Sequence, residues 1–243
     1  MGAMFKKFLD IVFPPGPGCP ICGDKADAYG ACARCRQEIT DTGGYAACTA
    51  CGRYRPILRG TAGGLCPECR ISPPPFYPAR SLGLYQGLLK ESIYLFKYGG
   101  CTSLAGFFGL LLAEIYMTEP KYPRYPVLVP VPLSQQKMQA RGFNQSELVA
   151  AEIGRTLNLP VSSALKRIAH TTSQSKLTRI ARREMIKGVF ALDHKLKAPD
   201  VILVDDILTT GSTVAECTRI LLDSGVRTVG VLTIAAGIQE NQI

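Results

Sequence analysis

"VILVDDILTTGSTV", residues 201–214, runs from four apolar residues into two adjacent carboxylates, Asp205 and Asp206, and then into six residues, 208–213, of which only Leu208 is larger than threonine. Four consecutive apolar residues ask for burial on both faces, so "VILVDD" reads as a buried strand of a covered parallel sheet that ends in the two acids, followed by a loop and the start of a helix. Ser212 or Thr213 can cap that helix, which runs to about Asp223 before Gly225 stops it. A loop at the carboxyl end of a parallel strand is where open α/β sheets bind ligands. Here the backbone N–H groups of Thr210, Gly211, Ser212 and Thr213 can converge on one anion. The hydroxyls of Thr209, Thr210, Ser212 and Thr213 add donors, and Gly211 lets the backbone approach closely. The glycine and lysine spacing of a Walker A loop is absent. Asp205 and Asp206 cannot accept hydrogen bonds from a phosphate, but they can accept them from a vicinal diol one sugar ring away. Phosphate on one side and two hydroxyls on the other describe a ribose 5-phosphate.

Working outward, "VLVPVPL" (127–133) reads as a second buried strand leading into a loop, and "TVGVLTIAA" (228–236) as a third. "NQSELVAAEIGRTLNLP" (144–160) reads as a helix with Val149, Ile153 and Leu157 aligned. Two further helices are expected, Tyr85–Tyr98 with Leu89, Ile93 and Phe96 on one face, and Ser103–Met117 with Leu104, Phe108, Leu111 and Ile115. Apolar strands alternating with helices indicate an α/β fold with a parallel central sheet covered on both sides. Cys217, three residues after Val214 and three before Ile220, reads as a small buried hydrophobe.

The chain changes character near residue ~75. Eight of its ten cysteines lie between 19 and 69, as the knuckles "CPIC" (Cys19, Cys22), "CARC" (Cys32, Cys35), "CTAC" (Cys48, Cys51) and "CPEC" (Cys66, Cys69). Two thiolates at C-x-x-C spacing can grip one tetrahedral zinc from a tight turn, and Gly23 and Gly52 follow two knuckles where a turn needs positive φ. Two zinc ribbons follow. Sequential pairing puts Cys19, Cys22, Cys32 and Cys35 on one ion and Cys48, Cys51, Cys66 and Cys69 on the other; spacing alone leaves a crossed pairing open. Four thiolates leave no open position for water, so both zincs are expected to be structural. The segment has few large apolar residues, so metal supplies much of its folding energy. "ISPPPFYPAR" (71–80) is proline-rich, extended and stiff. The expected organisation is an N-terminal helix or arm (1–18), a double zinc ribbon (19–72), a linker (73–80) and an α/β domain (81–243).

The formal net charge of the 243-residue chain is +9. Residues 1–78 hold nine basic and six acidic residues, and Lys137–Lys187 alone carries ten basic and three acidic ones. Such a field suits phosphorylated ligands or nucleic acid. Only Phe143 and Phe190 interleave with those basic residues, which argues against a base-stacking platform for DNA. The uncharged run Tyr98–Ala113 is 16 residues long, short of the ~20 needed for a membrane span. The start lacks the continuous apolar core and cleavage site of a signal peptide, so a cytoplasmic protein is expected.

Together these stretches resemble known proteins. "VILVDDILTTGST" is similar to the phosphoribosyl pyrophosphate (PRPP) motif of type I phosphoribosyltransferases. Adding "VPVPLSQQKMQARGFNQSELVA" (129–150), "TTSQSKLTRIARREMIKGVF" (171–190) and the four knuckles followed by "PPPF", the chain resembles the ComF family of competence proteins from about Cys19 onward. The resemblance implies that Asp205 and Asp206 bind the ribose hydroxyls and that Thr209, Thr210, Gly211, Ser212 and Thr213 bind the 5′-phosphate. It implies that the loop around Val131, Pro132 and Leu133 binds pyrophosphate, gripped by Lys137, Arg141, Arg182 and Arg183, with Mg²⁺ carried by PRPP. Arg141, Gly142, Phe143, Asn144 and Gln145 match the family's "RGFNQ", and Gln174, Leu177, Arg182 and Arg183 match a second motif in a hood over the site. The family usually has Asn two residues after the double Arg, where this chain has Met185. Purine-salvage relatives place an Asp general base where Thr209 stands, and a threonine hydroxyl is far too weak a base. Three roles are compatible with the resemblance: a phosphoribosyltransferase with an unidentified acceptor, a single-stranded DNA or partner-binding module working beside an ATP-driven DNA translocase in DNA uptake, and a PRPP-sensing regulator.

Overall fold

The computed structural model describes residues 18–57, 63–124, 126–169 and 185–239. The expected arm up to residue 17, and Gln174, Leu177, Arg182 and Arg183, lie outside the described residues. In chain order the elements are α1 (Ala33–Thr40), β1 (Tyr45–Ala47), β2 (Tyr54–Pro56), α2 (Pro67–Ile71), β3 (Ala79–Leu84), α3 (Gly87–Tyr98), α4 (Leu104–Thr118), β4 (Val127–Pro130), α5 (Gln135–Arg141), α6 (Gln145–Leu157), β5 (Leu165–Arg167), β6 (Phe190–Leu192), β7 (Asp200–Leu208), α7 (Ser212–Asp223) and β8 (Thr228–Ala236).

The central sheet has the order β3-β8-β7-β4, with every pair parallel. Its strands are apolar on both faces because both are covered. Ile202 and Val204 of β7 enter one core with Leu89, Phe96, Phe108 and Ile153 from α3, α4 and α6. Val201 and Leu203 enter the other with Val214, Cys217 and Leu221 of α7 and Leu165 and Phe190 of the β5–β6 hairpin. Cys217 is fully buried there, as its spacing predicts.

Each ribbon joins a different face. The first contributes Cys19, Cys32, Cys35 and Ile39 to the helical core, and the second contributes Cys48, Cys51, Cys66 and Cys69 to the α7 core. Two glycines permit this contact. A Cβ at Gly83 of β3 would collide with the Ile39 carbonyl oxygen at the end of α1, and one at Gly52 would lie 2.7 Å from the Ala79 carbonyl oxygen. β2 also bonds to the end of β8, with Tyr54 N–H donating to Gly237 O at 3.1 Å and Gln239 N–H donating to Tyr54 O at 2.7 Å. The proline-rich stretch lies within this packing: Phe76 is 2% exposed, and Ala79 and Arg80 already pair with β8.

Two local expectations are corrected. The strand does not stop at Asp206 but continues to Leu208, because Asp205 and Ile207 stay in register with Thr233 and Ala235 of β8. Neither Ser212 nor Thr213 caps α7. The N-cap is Gly211 in the left-handed region (φ 78°), with no side-chain cap, and the Ser212 hydroxyl is instead 2.9 Å from that of Thr210. The first N–H groups of a helix have no partner within the helix, and that of Ser212 is met by Thr210 Oγ1.

Candidate functional site

Three elements converge at the carboxyl edge of the sheet. β7 delivers Asp205 and Asp206 and hands the chain to the loop 209–211. Asp205 and residues 207–214 enclose a small concavity of about 20 Å³ at the start of α7. Thr210 Oγ1 accepts from Ser212 N–H at 3.3 Å, which tightens the loop around Gly211. On the far side of Thr210, Gly211 and Ser212 lies a groove of about 540 Å³, walled by the second ribbon, Pro73–Phe76 and α7.

The two carboxylates have different partners. Asp206 is ion-paired with Lys97 of α3 at 2.6 Å, both side chains being largely buried. Asp205 Oδ1 accepts from the Asp206 N–H at 2.8 Å and from the Ser146 hydroxyl of α6 at 3.2 Å. Burial first, and then the charge of Asp206, push the Asp205 carboxyl up to about 7. The Asp205 carboxyl therefore keeps its proton well above the ordinary carboxylate range.

β4 delivers the loop 131–133, with Val131 buried and Pro132 and Leu133 half-buried. The "RGFNQ" stretch fixes that loop to α6. Gly142 terminates α5 in the left-handed region (φ 80°), and Phe143 packs 5.9 Å from Phe96. Asn144 caps α6 by accepting from Ser146 N–H, while its Nδ2 donates to Val131 O at 3.1 Å. Gln145 Oε1 accepts from Arg141 at 2.9 Å; its Nε2 is buried with no hydrogen-bond partner among the described residues. Arg141 also donates to the Tyr98 hydroxyl at 2.9 Å and lies 4.8 Å over the Tyr98 ring. Lys137 shares this rim. Desolvation first, then the charges of Arg141, Arg167 and Lys97, hold its ammonium below the ordinary lysine range, with Asp206 pulling the other way. The neighbouring positive charges of Arg141, Arg167 and Lys97 make the surroundings of Lys137 favourable to an anion.

The sequence-derived residues 131–133, 137, 141, 205, 206 and 209–213 thus share one edge of the sheet. Lys97, Tyr98 and Ser146 were not anticipated. Lys97 sits in the last turn of an amphipathic helix, where a lysine reads as a partner of the helix dipole, and nothing local ties it to a strand end 109 residues later.

At the other end of the chain, Cys19, Cys22, Cys32 and Cys35 form one cluster and Cys48, Cys51, Cys66 and Cys69 another, the sulfurs of each within 4.8 Å of one another. This is the sequential pairing. Sulfur separations of 3.5 Å (Cys22–Cys32) and 3.9 Å (Cys51–Cys66) bracket the ~3.8 Å edge of a tetrahedron with ~2.3 Å Zn–S bonds. Backbone N–H groups of Cys35 and Cys66 point at Cys32 and Cys48 Sγ at 3.4 and 3.3 Å, supporting thiolates. The donor set fits zinc, with four sulfurs and no open position.

A parallel sheet whose β7 carries paired carboxylates near its carboxyl end and leads into a small-residue loop, joined to two four-cysteine ribbons, defines a zinc-ribbon protein of the phosphoribosyltransferase fold. Residues 8–70 match the double zinc ribbon domain family and residues 144–242 the phosphoribosyl transferase domain family. DNA utilization protein YhgH of Escherichia coli (strain K12) is 30% identical over 220 residues, covering 83% of this chain and 95% of that protein. Competence protein ComFC of Bacillus subtilis is 28% identical over 202 residues, covering 80% and 78%. Competence protein F of Haemophilus influenzae is 35% identical over 112 residues, covering 44% and 49%. The chain belongs to the ComF family. Among the described residues no helix is long and apolar enough to cross a membrane.

Proposed function

We propose that the strand-end site binds PRPP, or a ligand containing ribose 5-phosphate, in support of DNA uptake. The observation that carries the reading is the juxtaposition at one sheet edge of the acid pair Asp205–Asp206, the uncapped loop 209–213 and the cationic rim of Lys137 and Arg141. Such a set of groups suits a ligand with a phosphate, a diol and a second anionic group in that order. The 5′-phosphate takes the loop amides, the diol the carboxylates, and the C1 pyrophosphate the rim beside the loop 131–133. Mg²⁺ enters with PRPP, held by the ligand's own oxygens and water, and neutralises charge on the pyrophosphate.

The reaction class this site serves is displacement of pyrophosphate from C1 by an acceptor. Lys137 and Arg141 would stabilise the leaving group. Thr209 supplies no general base, so the acceptor's proton must leave by another route. Calorimetric titration of Mg²⁺ and PRPP into the zinc-loaded protein, beside Asp206→Asn, tests the reading. Micromolar binding that the variant loses supports it, and no binding by the parent protein rejects it.

A second reading, single-stranded DNA binding, gains from one observation. Tyr94 and Tyr98 of α3 are 66% and 60% exposed, with ring centroids 4.9 Å apart, on the same rim as Arg141. These aromatics come from outside the basic stretch 137–187 and provide the stacking surface that stretch lacks by itself. The groove beyond Gly211 gives a polymer a path past the 5′-phosphate. Competition between PRPP and an oligonucleotide for one surface would favour a shared site.

A further inference from the structure

The diol acceptor Asp206 is occupied in this structure by Lys97. The contact is short, 2.6 Å, and both side chains are largely shielded, 13% and 19% exposed, so it differs from an exposed surface pair of little consequence. Lys97 sits on the Oδ2 oxygen of Asp206, and a diol that takes that oxygen must loosen the contact and leave an ammonium without its partner in a shielded place, which is costly unless a new anion is at hand. Lys97 directly precedes Tyr98, which holds Arg141, and its charge is felt at Lys137. It therefore lies close to both the carboxylates and the cationic rim. An ammonium on a flexible four-carbon stem can change partner without moving its helix.

We propose that Lys97 is the specificity-determining residue of the ribose phosphate site: Asp206 holds it when no ligand is bound, and it transfers to the C1 pyrophosphate when the diol claims Asp206. The exchange makes binding conditional on both ends of the ligand. PRPP supplies the diol and the anion that receives Lys97, whereas ribose 5-phosphate supplies the diol alone and strands the lysine. The inference rests on the ribose phosphate reading above and adds to it a means of choosing between two ligands that share every other contact.

The test compares PRPP with ribose 5-phosphate, each with Mg²⁺, by calorimetry on the zinc-loaded full chain carrying Lys97, Lys97→Met or Lys97→Arg, with thermal melting to confirm that each variant is folded. The parent should prefer PRPP. Lys97→Met should lose about tenfold or more in PRPP affinity, the loss of one charge-assisted contact, while ribose 5-phosphate binds as well as before or better. Lys97→Arg should retain the preference. Parallel losses for both ligands in a folded Lys97→Met protein, or an unchanged preference, would overturn the role of Lys97 and leave the ribose phosphate reading intact. A parent protein that binds neither ligand would overturn the reading itself and the inference with it.

Discussion

Burial and the neighbouring Asp206 push the Asp205 carboxyl from an ordinary 3.8 up to about 7, and that shift ties stability to ligand binding. Between those values the unfolded chain has released its proton while the folded chain keeps it. Stability contributed by this group is therefore full below about 4, falls as pH rises, and is gone above about 7. Asp205→Asn removes the titration but keeps an oxygen to accept from Ser146 and the Asp206 N–H. Thermal melting should show the variant gaining on the parent from pH 5 to pH 8, by a few degrees at the upper end, while losing affinity for a diol. A difference in melting temperature that stays constant with pH would contradict the assignment. Lys97 escaped the sequence reading for a physical reason: its contact with Asp206 exists only once α3 lies across the end of β7.

At the scale of elements, α6 and the loop after β4 are one unit because Asn144 serves both. It caps the helix and holds the Val131 carbonyl. Asn144→Ala removes a cap worth about 1 kcal/mol and a buried hydrogen bond of about 1 kcal/mol or more. Urea unfolding should place the variant roughly 2–3 kcal/mol below the parent, with a weakened grip on the ligand's pyrophosphate end. An unchanged midpoint would mean that Asn144 is not the joint. Elements with strong periodicity were legible: the helices carrying Leu89, Phe108 and Val149 and the strands around Leu203 and Val231 form where the apolar pattern puts them. β3 was hidden, since its first two residues follow a run of prolines and its pairing partners in β8 lie 152 residues further along the chain. The start of α7 was misread because capping residues are present but serve the loop instead.

Across the whole molecule, the ribbons read from the sequence as a separate domain contribute to both cores of the sheet, through Ile39 and the first knuckles on one side and Cys66 and Cys69 on the other. Their cysteine spacing made the zinc sites legible; of the glycines that admit them, Gly52 was legible only as a turn glycine and Gly83 carries no such signal. Metal analysis should find two zinc ions per chain. A strong chelator should lower the melting temperature of the whole protein in a single transition, because the phosphoribosyltransferase-type sheet loses part of its covering with each ribbon. Early melting of the ribbons alone, with the sheet unaffected, would contradict shared cores.

The most direct measurement is a crystal structure of the zinc-loaded protein soaked with Mg²⁺ and PRPP. The 5′-phosphate should lie on the amides of 209–213, the ribose hydroxyls on Asp205 and Asp206, and the pyrophosphate against Lys97, Lys137 and Arg141. PRPP bound elsewhere, or bound with Lys97 still on Asp206 and the diol facing solvent, would contradict it.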